Sequence, residues 1–241
     1  MAGPPLPGKV KAVLFDVGGV LFSPPQIAIS EVEREHGLPL VRAFVSGEPN
    51  NAFCKLERGE LTLSQFFPEF ESEVERVVES HGSTVPAGFS ASVLFQRMSS
   101  SVRPVPAMIR AVDTIQQAGY KTGVITNNWI DDINEKTNEL MTQFLNSHFD
   151  VVLQSCQLGI RKPNPLIYRL ACHRLEVQPS QAVFLDDLGR NVRAARDVGM
   201  TAVRVRETHQ ALRELGTLLG VRLAFEKTDS SSSSSHVSLK S

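Results

Sequence analysis

Five short runs of apolar residues, separated by segments of helical length, restrict the possible fold of this chain more than any other feature. The runs are KAVLFD (11–16), KTGVIT (121–126), FDVVLQ (149–154), AVFLDD (182–187) and TAVRVR (201–206). Most of them are continuously apolar rather than alternating, which is typical of parallel strands that are covered on both faces. The alternation of these strands with helices predicts an α/β fold, a doubly wound Rossmann-like parallel sheet.

Proline, asparagine and glycine mark the ends of several helices. Pro106 stands in the first turn of a helix that stops at Gly119. Asn164 stands at the N-cap of another helix, where its side chain can accept from a free N–H group, and Pro165 stands at the first helical position, where its missing N–H costs no hydrogen bond. A helix near the end of the chain is expected to stop near Gly220.

Residues 23–103 interrupt this rhythm, because they contain no convincing buried strand. The segment SQFFPEFESEVERVVES within them has an apolar stripe with acidic residues opposite, which predicts an amphipathic helix packed in a core. The stripe consists of Phe66, Phe70, Val74, Val77 and Val78. We therefore predict a helical cap (23–103) inserted after the first strand of a core domain (9–22 and 104–225). An insertion at this point lies over the carboxyl ends of the strands, where ligands bind in open α/β sheets.

The two ends of the chain differ from the rest in composition. Residues 1–8 are rich in proline and glycine and are expected to be flexible, and the Ser-rich tail (226–241) is expected to be disordered.

The net charge of −1 over 241 residues argues against a nucleic-acid partner. No apolar run reaches the length of a transmembrane helix. Three cysteines without a CxxC spacing favour reduced thiols and a cytoplasmic location, and the oligomeric state is not indicated.

Polar residues whose side chains could take part in catalysis or binding follow the ends of four predicted strands. They are Asp16; Thr126 and Asn127; Lys162; and Asp186 and Asp187. Because parallel strands end at one edge of a sheet, these groups should meet there. A carboxylate nucleophile, phosphate-binding donors and facing carboxylates that require a divalent cation together suggest phosphoryl transfer with Mg²⁺. Trp129 either packs in a core or lines the mouth of the pocket.

These residues lie in segments that resemble a known superfamily. FDVGGVL, VITNN, RKPNP and FLDDLGRNV match, in order, the four motifs of the haloacid dehalogenase-like hydrolases. The details LERGELT, TNN, KPNP and LDDLGRN resemble the branch that contains the N-terminal phosphatase domain of soluble epoxide hydrolase and the N-terminal domain of acyl-CoA dehydrogenase family member 10.

The resemblance also implies roles for single residues. Asp16 would be the nucleophile and a metal ligand, with the backbone carbonyl of Gly18 as a second ligand. Thr126, Asn127 and Lys162 would hold the phosphate. Asp186 and Asp187 would hold Mg²⁺ directly or through water, and Asn191 would steady the loop after the fourth strand or approach the site. The expected substrate is a small organic or lipid phosphate ester.

Gly18 departs from the family pattern. Active phosphatases of the superfamily usually have a second Asp there, which protonates the leaving group, and such help is worth roughly 10²–10⁴-fold. Three hypotheses follow: a phosphatase that is slow or limited by its leaving group, a catalytically weak phosphate-binding or interaction module, and a metal-independent dehalogenase-type hydrolase. The Asp186–Asp187 pair argues against the third, because halogen displacement needs no metal.

Overall fold

The five predicted strands form one fully parallel sheet. The structure, a computed structural model, describes residues 10–223, apart from the side chains of residues 135, 137 and 138. The strands are β1 (Ala12–Phe15), β2 (Lys121–Thr126), β3 (Val151–Gln154), β4 (Ala182–Asp186) and β5 (Thr201–Arg204). Their order across the sheet is β3-β2-β1-β4-β5, and every neighbouring pair is parallel. The predicted fold class is confirmed.

The central strand β1 shows why the apolar runs are continuous. All four of its residues are buried. Val13 and Phe15 belong to one hydrophobic cluster, whereas Ala12 and Leu14 belong to another. Since successive side chains of a strand point to opposite faces, both faces of the sheet are covered and neither can be polar.

Eleven α-helices and one 3₁₀ turn surround or extend this sheet in the described part of the chain. Between β1 and β2 lie α1 (Gln26–His36), α2 (Leu40–Val45), α3 (Ala52–Glu57), α4 (Leu63–Glu79), α5 (Ala91–Ser101) and α6 (Pro106–Gln117). After β2 come α7 (Glu135–His148), α8 (Ser155–Leu158), α9 (Pro165–Arg174), the 3₁₀ turn (Pro179–Gln181), α10 (Gly189–Asp197) and α11 (Thr208–Leu219).

The predicted helix ends are found where the side chains indicated. Pro106 is the first residue of α6. The Asn164 side chain caps α9 by accepting from the Leu166 backbone N–H at 3.0 Å. Gly220 follows α11 in the left-handed region at φ 69°, which lets the chain leave the helix without a Cβ clash.

Helices α1–α5 share a hydrophobic cluster of their own, and we call them the cap. The predicted stripe of α4 is confirmed, because all five of its residues are buried in this cluster. Phe66 and Phe70 stack with ring centroids 5.0 Å apart. The two chain crossings between cap and sheet run side by side, since the Ser23 N–H donates to the Arg103 carbonyl at 2.7 Å. The domain boundaries near these residues stay predictions.

Helix α7 was not predicted from the sequence. Asn134, a residue type that favours the N-cap position, precedes it, but its side chain makes no capping hydrogen bond. Among residues 10–223, no helix has both the length and the apolar character that a bilayer crossing requires. The expectations for residues 1–8 and 226–241 concern segments outside the described residues.

Candidate active site

A buried lysine between two buried carboxylates forms the centre of the candidate site. The Lys162 Nζ lies 2.7 Å from Asp16 Oδ1 and 2.8 Å from Asp186 Oδ2. The Lys162 side chain is 1% exposed and that of Asp186 is 0% exposed. Asp16 directly follows β1 and Asp186 ends β4, and these strands are neighbours, so the parallel register brings both carboxylates to one edge. Sequence reasoning placed these three residues together, and the structure does so as well.

Burial and charge act in opposite directions on this trio. Burial raises the pKa of Asp16; the Lys162 ammonium opposes this effect, and the charge of Asp186 adds to it. Burial alone would lower the pKa of Lys162, but Asp16 and Asp186 together raise it above its ordinary value. Lys162 therefore stays protonated, and its ammonium offsets the repulsion between two carboxylates that water cannot screen.

Asp187 completes a cluster that fits a divalent cation. One carboxylate oxygen each of Asp16, Asp186 and Asp187 lies within 4.8 Å of the others. Burial, followed by the charge of Asp186, raises the pKa of Asp187 to about 6. Carboxylate oxygens are the ligands that Mg²⁺ prefers, and a cation would remove the repulsion that raises this pKa. The residues present thus suit the metal that the sequence predicted.

Gly19 makes the approach of Asp187 possible. It lies in the loop after β1 at φ 78°, a conformation that L side chains rarely adopt. A Cβ at this position would lie 2.6 Å from Asp187 Cγ and Oδ2. Any side chain here would therefore push the carboxylate away from the cluster.

Asn191 orients Asp186 from the first turn of α10. Its Nδ2 donates to both carboxylate oxygens of Asp186 at 3.0 Å, and the Leu188 N–H donates to Oδ1 at 2.8 Å. The Asn191 side chain also lines the cavity, and its Oδ1 is buried without a hydrogen-bond partner among the described residues. Asn191 thus contacts Asp186 directly, and its expected role, to steady the loop after the fourth strand or to approach the site, stays a prediction.

The Asn127 side chain holds the backbone of Lys162. Its Oδ1 accepts from the Lys162 N–H at 2.8 Å, and its Nδ2 donates to the Lys162 carbonyl at 3.1 Å. The same Nδ2 lies 3.4 Å from Glu57 Oε2. Asn127 therefore links β2 to the loop of Lys162, and its predicted contact with phosphate stays a prediction.

Thr126 and Gly18 occupy different positions relative to the cavity. Thr126 is the buried last residue of β2, paired in register with Gln154 of β3, and it is not among the residues that line the cavity. Gly18 follows β1 and does line the cavity. A Cβ on Gly18 would lie 3.3 Å from Pro25 Cδ, so a side chain there requires only a small movement of Pro25.

A cavity of about 480 Å³ lies between the sheet edge and the cap. From the core come polar groups, among them Asp16, Asn127, Lys162 and Asp187. From the cap come mainly apolar side chains: Ile29, Val41, Phe44, Val45, Phe53 and Met98. Trp129 lines the cavity and also packs on the cap, with its ring centroid 5.4 Å from that of Phe95, so both expectations for it are met. A cleft of this size accommodates a small organic molecule.

A family model described as haloacid dehalogenase-like hydrolase matches residues 10–199. The chain belongs to this family. The match covers β1, the cap, Asp16 and Asp186 at the strand ends, and Lys162 in the loop between α8 and α9. The family resemblance inferred from the four sequence motifs is confirmed.

Relatives of the hydrolase include longer proteins. The bifunctional epoxide hydrolase 2 of Sus scrofa is 35% identical over 89% of this chain and 40% of its own length. The acyl-CoA dehydrogenase family member 10 of Mus musculus is 33% identical over 88% of this chain and 19% of its own length. The hydrolase therefore spans less than half of these two relatives. The glyceraldehyde 3-phosphate phosphatase of Methanopyrus kandleri is 29% identical over 82% of this chain and 84% of its own length.

A solved structure shows the same fold. A HAD family enzyme of Bacteroides thetaiotaomicron, crystallised in complex with magnesium and inorganic phosphate, aligns with a TM-score of 0.55. It is 18% identical, and the alignment covers 81% of this chain and 93% of that chain. The likeness supports the fold of the hydrolase.

Sequence reasoning missed two charged residues next to the site. Glu57 of α3 lines the cavity and forms a buried ion pair with Arg161, the neighbour of Lys162. Burial raises the pKa of Glu57, and Arg161 opposes this effect. Both residues lie within motifs that carried the resemblance, LERGELT and RKPNP, but their separation of about 100 residues hides the pairing.

Proposed function

We propose that this hydrolase is a Mg²⁺-dependent phosphatase that cleaves a small organic or lipid phosphate ester through an aspartyl-phosphate on Asp16. The observation that carries the proposal is the buried trio of Asp16, Lys162 and Asp186, joined by Asp187, of which Asp16, Lys162 and Asp187 line the cavity. A nucleophilic carboxylate, a fixed ammonium and a cluster of metal-binding oxygens are the groups that this reaction needs.

The reaction has two displacement steps. In the first, a carboxylate oxygen of Asp16 attacks phosphorus, the ester P–O bond breaks, and the leaving oxygen departs with the bonding electron pair and takes up a proton from water. In the second, water attacks the phosphorus of the aspartyl-phosphate, the bond between phosphorus and the Asp16 oxygen breaks, and one proton of that water passes to the solvent, so that inorganic phosphate and the free carboxylate are formed. The Lys162 ammonium, held 2.7 Å from Asp16, donates to a phosphoryl oxygen and stabilises negative charge in both steps.

Asp16, Asp186 and Asp187 would hold Mg²⁺, with the backbone carbonyl of Gly18 as a further ligand. The bound ion would neutralise charge on the phosphoryl group. The closeness of the three carboxylates and the magnesium in the Bacteroides thetaiotaomicron enzyme support this assignment.

Removal of the metal tests the proposal directly. Wild-type protein should hydrolyse p-nitrophenyl phosphate with Mg²⁺ and lose this activity in EDTA. Asp187→Asn should raise the Mg²⁺ concentration needed for half-maximal rate by at least about 10-fold, because one ligand charge is lost. Rates measured across a Mg²⁺ titration check both results. Asp197→Asn, a change at an exposed site, is the matched control, and equal Mg²⁺ requirements for the two variants would contradict the assignment.

Gly18 limits what the site can do. Without a carboxyl group at this position, the chain supplies no proton donor there for the leaving alcohol. Aryl phosphates need little such help, because their leaving groups are stable anions. Alkyl phosphates need more, and we therefore propose a slow reaction with them.

A carboxyl group restored at position 18 should change the substrate preference. Gly18→Asp is expected to raise kcat on an alkyl phosphate by roughly 10- to 100-fold and to change the aryl rate much less. The conformation of Gly18 allows the change, and Pro25 has to move by only a few tenths of an ångström. Steady-state rates on an alkyl and an aryl ester give the ratio.

Gly18→Ala is the control for this substitution, because it adds the same Cβ contact with Pro25 without a carboxyl group. It should leave the ratio of the two rates unchanged. If Gly18→Asp and Gly18→Ala alter both esters equally, the missing proton donor is not the limitation.

The apolar cap side chains support a substrate with a hydrophobic portion. Phe44, Phe53 and Met98 line the cavity opposite the polar groups of the core. Burial of such a portion contributes roughly 25 cal/mol for each Å² removed from water. Hydrolysis rates on a panel of phosphate esters of increasing chain length would rank the candidate substrates. The similarity to the glyceraldehyde 3-phosphate phosphatase of Methanopyrus kandleri supports the more general proposal that the substrate is a small-molecule phosphate.

Gly18 also favours a second candidate, a catalytically weak phosphate-binding module. Such a module would show Mg²⁺-dependent stabilisation by inorganic phosphate without turnover of any ester. A dehalogenase-type reaction would instead release halide from 2-haloacids without metal.

We also propose a cytoplasmic location, which the three buried, free cysteines support.

A further inference from the structure

A buried ion pair connects the cap to the loop that carries Lys162. Glu57 is the last residue of α3, and Arg161 immediately precedes Lys162. The Arg161 Nε contacts Glu57 Oε2, and the two side chains are only 9% and 7% exposed. Water screens a charged pair poorly at this depth, so loss of one partner leaves the other charge buried and uncompensated.

Glu57 reaches the same loop by a second route. Its Oε2 lies 3.4 Å from the Asn127 Nδ2, and the Asn127 amide in turn bonds both the N–H and the carbonyl of Lys162. One cap carboxylate thus contacts the residue before Lys162 and the residue that clamps the Lys162 backbone.

The other neighbours of Arg161 cannot replace Glu57. Its Nη1 donates to the Cys54 Sγ at 3.1 Å and lies 3.8 Å from Glu48 Oε1. Among the described residues, its Nη2 and its Nε are buried without a hydrogen-bond partner, and Nε contacts Glu57 as an ion pair. Without Glu57, the guanidinium would keep a weak sulfur acceptor and a distant carboxylate that also pairs with Arg190 at 2.9 Å. Arg161 would then have to move, and the backbone of Lys162 with it.

We propose that Glu57 is a positioning residue, which sets the backbone of Lys162 through Arg161 and Asn127 and so couples the seating of the cap to the Lys162–Asp16 contact. The inference deepens the proposed phosphatase function and rests on it for its kinetic consequence. A displacement of a catalytic group by about 1 Å can lower the rate by about 10²-fold, so a link of this kind matters for turnover.

A second cap–core contact provides the matched control. The Ser64 N–H donates to Asp132 Oδ1 at 2.9 Å, and the Ser64 hydroxyl contacts the other oxygen of the same carboxylate. Both residues are exposed, and neither lines the cavity. Asp132→Asn therefore weakens the attachment of the cap without touching the loop of Lys162.

Kinetics separate positioning from simple attachment. Glu57→Gln should lower kcat on p-nitrophenyl phosphate by about 10- to 100-fold and change KM by less than about threefold. Asp132→Asn should keep kcat within about twofold of wild type. The double variant Glu57→Gln/Arg161→Met removes both buried charges. It should therefore be more thermally stable than Glu57→Gln, whereas its kcat should stay as low as that of Glu57→Gln. Recovery of both quantities together would reduce the pair to a structural contact and overturn the proposal.

Hydrogen exchange gives a readout that needs no turnover. In Glu57→Gln, backbone amides of a peptide covering residues 155–166 should exchange faster than in wild type, whereas Asp132→Asn should leave them unchanged. If the wild-type protein has no Mg²⁺-dependent turnover, the proposed phosphatase function fails, but this exchange experiment still decides the role of Glu57. Unchanged exchange in Glu57→Gln would refute the positioning role.

Discussion

Asp16→Asn should lower the rate of Mg²⁺-dependent p-nitrophenyl phosphate hydrolysis by at least about 10³-fold, because an amide cannot act as the nucleophile. The change keeps the shape of the side chain, and Lys162 retains its contact with Asp186 at 2.8 Å. The folded structure should therefore survive. Initial rates with Mg²⁺, compared with buffer alone, measure the effect.

Two controls accompany this variant. Asp113→Asn replaces an exposed carboxylate of α6 and should leave the rate unchanged. A thermal melt of Asp16→Asn must show a cooperative transition, which establishes that the protein is folded. A folded Asp16→Asn with near wild-type turnover would rule out Asp16 as the nucleophile.

Lys162→Met should lower the free energy of unfolding by about 3–5 kcal/mol in metal-free buffer, the usual effect of removing one partner from a buried ion pair. Methionine nearly fills the volume of lysine but leaves Asp16 and Asp186 facing each other without a cation. Both carboxylates are buried, so water cannot replace the lost charge. Urea denaturation at neutral pH gives the difference in free energy.

Lys121→Met is the matched control for Lys162→Met. Its Nζ lies 3.4 Å from Glu176 Oε2, and both side chains are exposed, so the loss should not exceed about 1 kcal/mol. Equal losses for the two variants would show that the Lys162 cluster contributes no special stabilisation. The hydrolysis rate of Lys162→Met should also fall sharply, because no ammonium then contacts the phosphoryl group.

Local patterns were sufficient to predict the sheet and its active edge. Continuous apolar runs identify strands buried on both faces, and each predicted strand is present, shorter by no more than two residues at either end. Asp16, Thr126 and Asp186 could be placed together because parallel strands share one edge. Helix α7 was missed even though Asn134, a residue type that favours the N-cap, stands just before its first residue.

The arrangement around Lys162 could not be predicted in the same way. Nothing in RKPNP shows that Arg161 turns toward the cap, and nothing in LERGELT shows that Glu57 meets it. Gly19 follows Gly18 in the sequence, and its left-handed conformation and close approach to Asp187, which exclude a side chain there, become visible only in the structure.

The sequence by itself determined the parallel α/β fold, the position of the cap and the identity of the groups at the strand ends, since these depend on periodicity and on neighbours along the chain. Tertiary structure alone decided that Lys162 bridges two carboxylates, that Asn127 clamps its backbone and that Glu57 reaches it from the cap. Such contacts join residues far apart in the chain, and their energies depend on distance and burial, which a linear pattern does not contain.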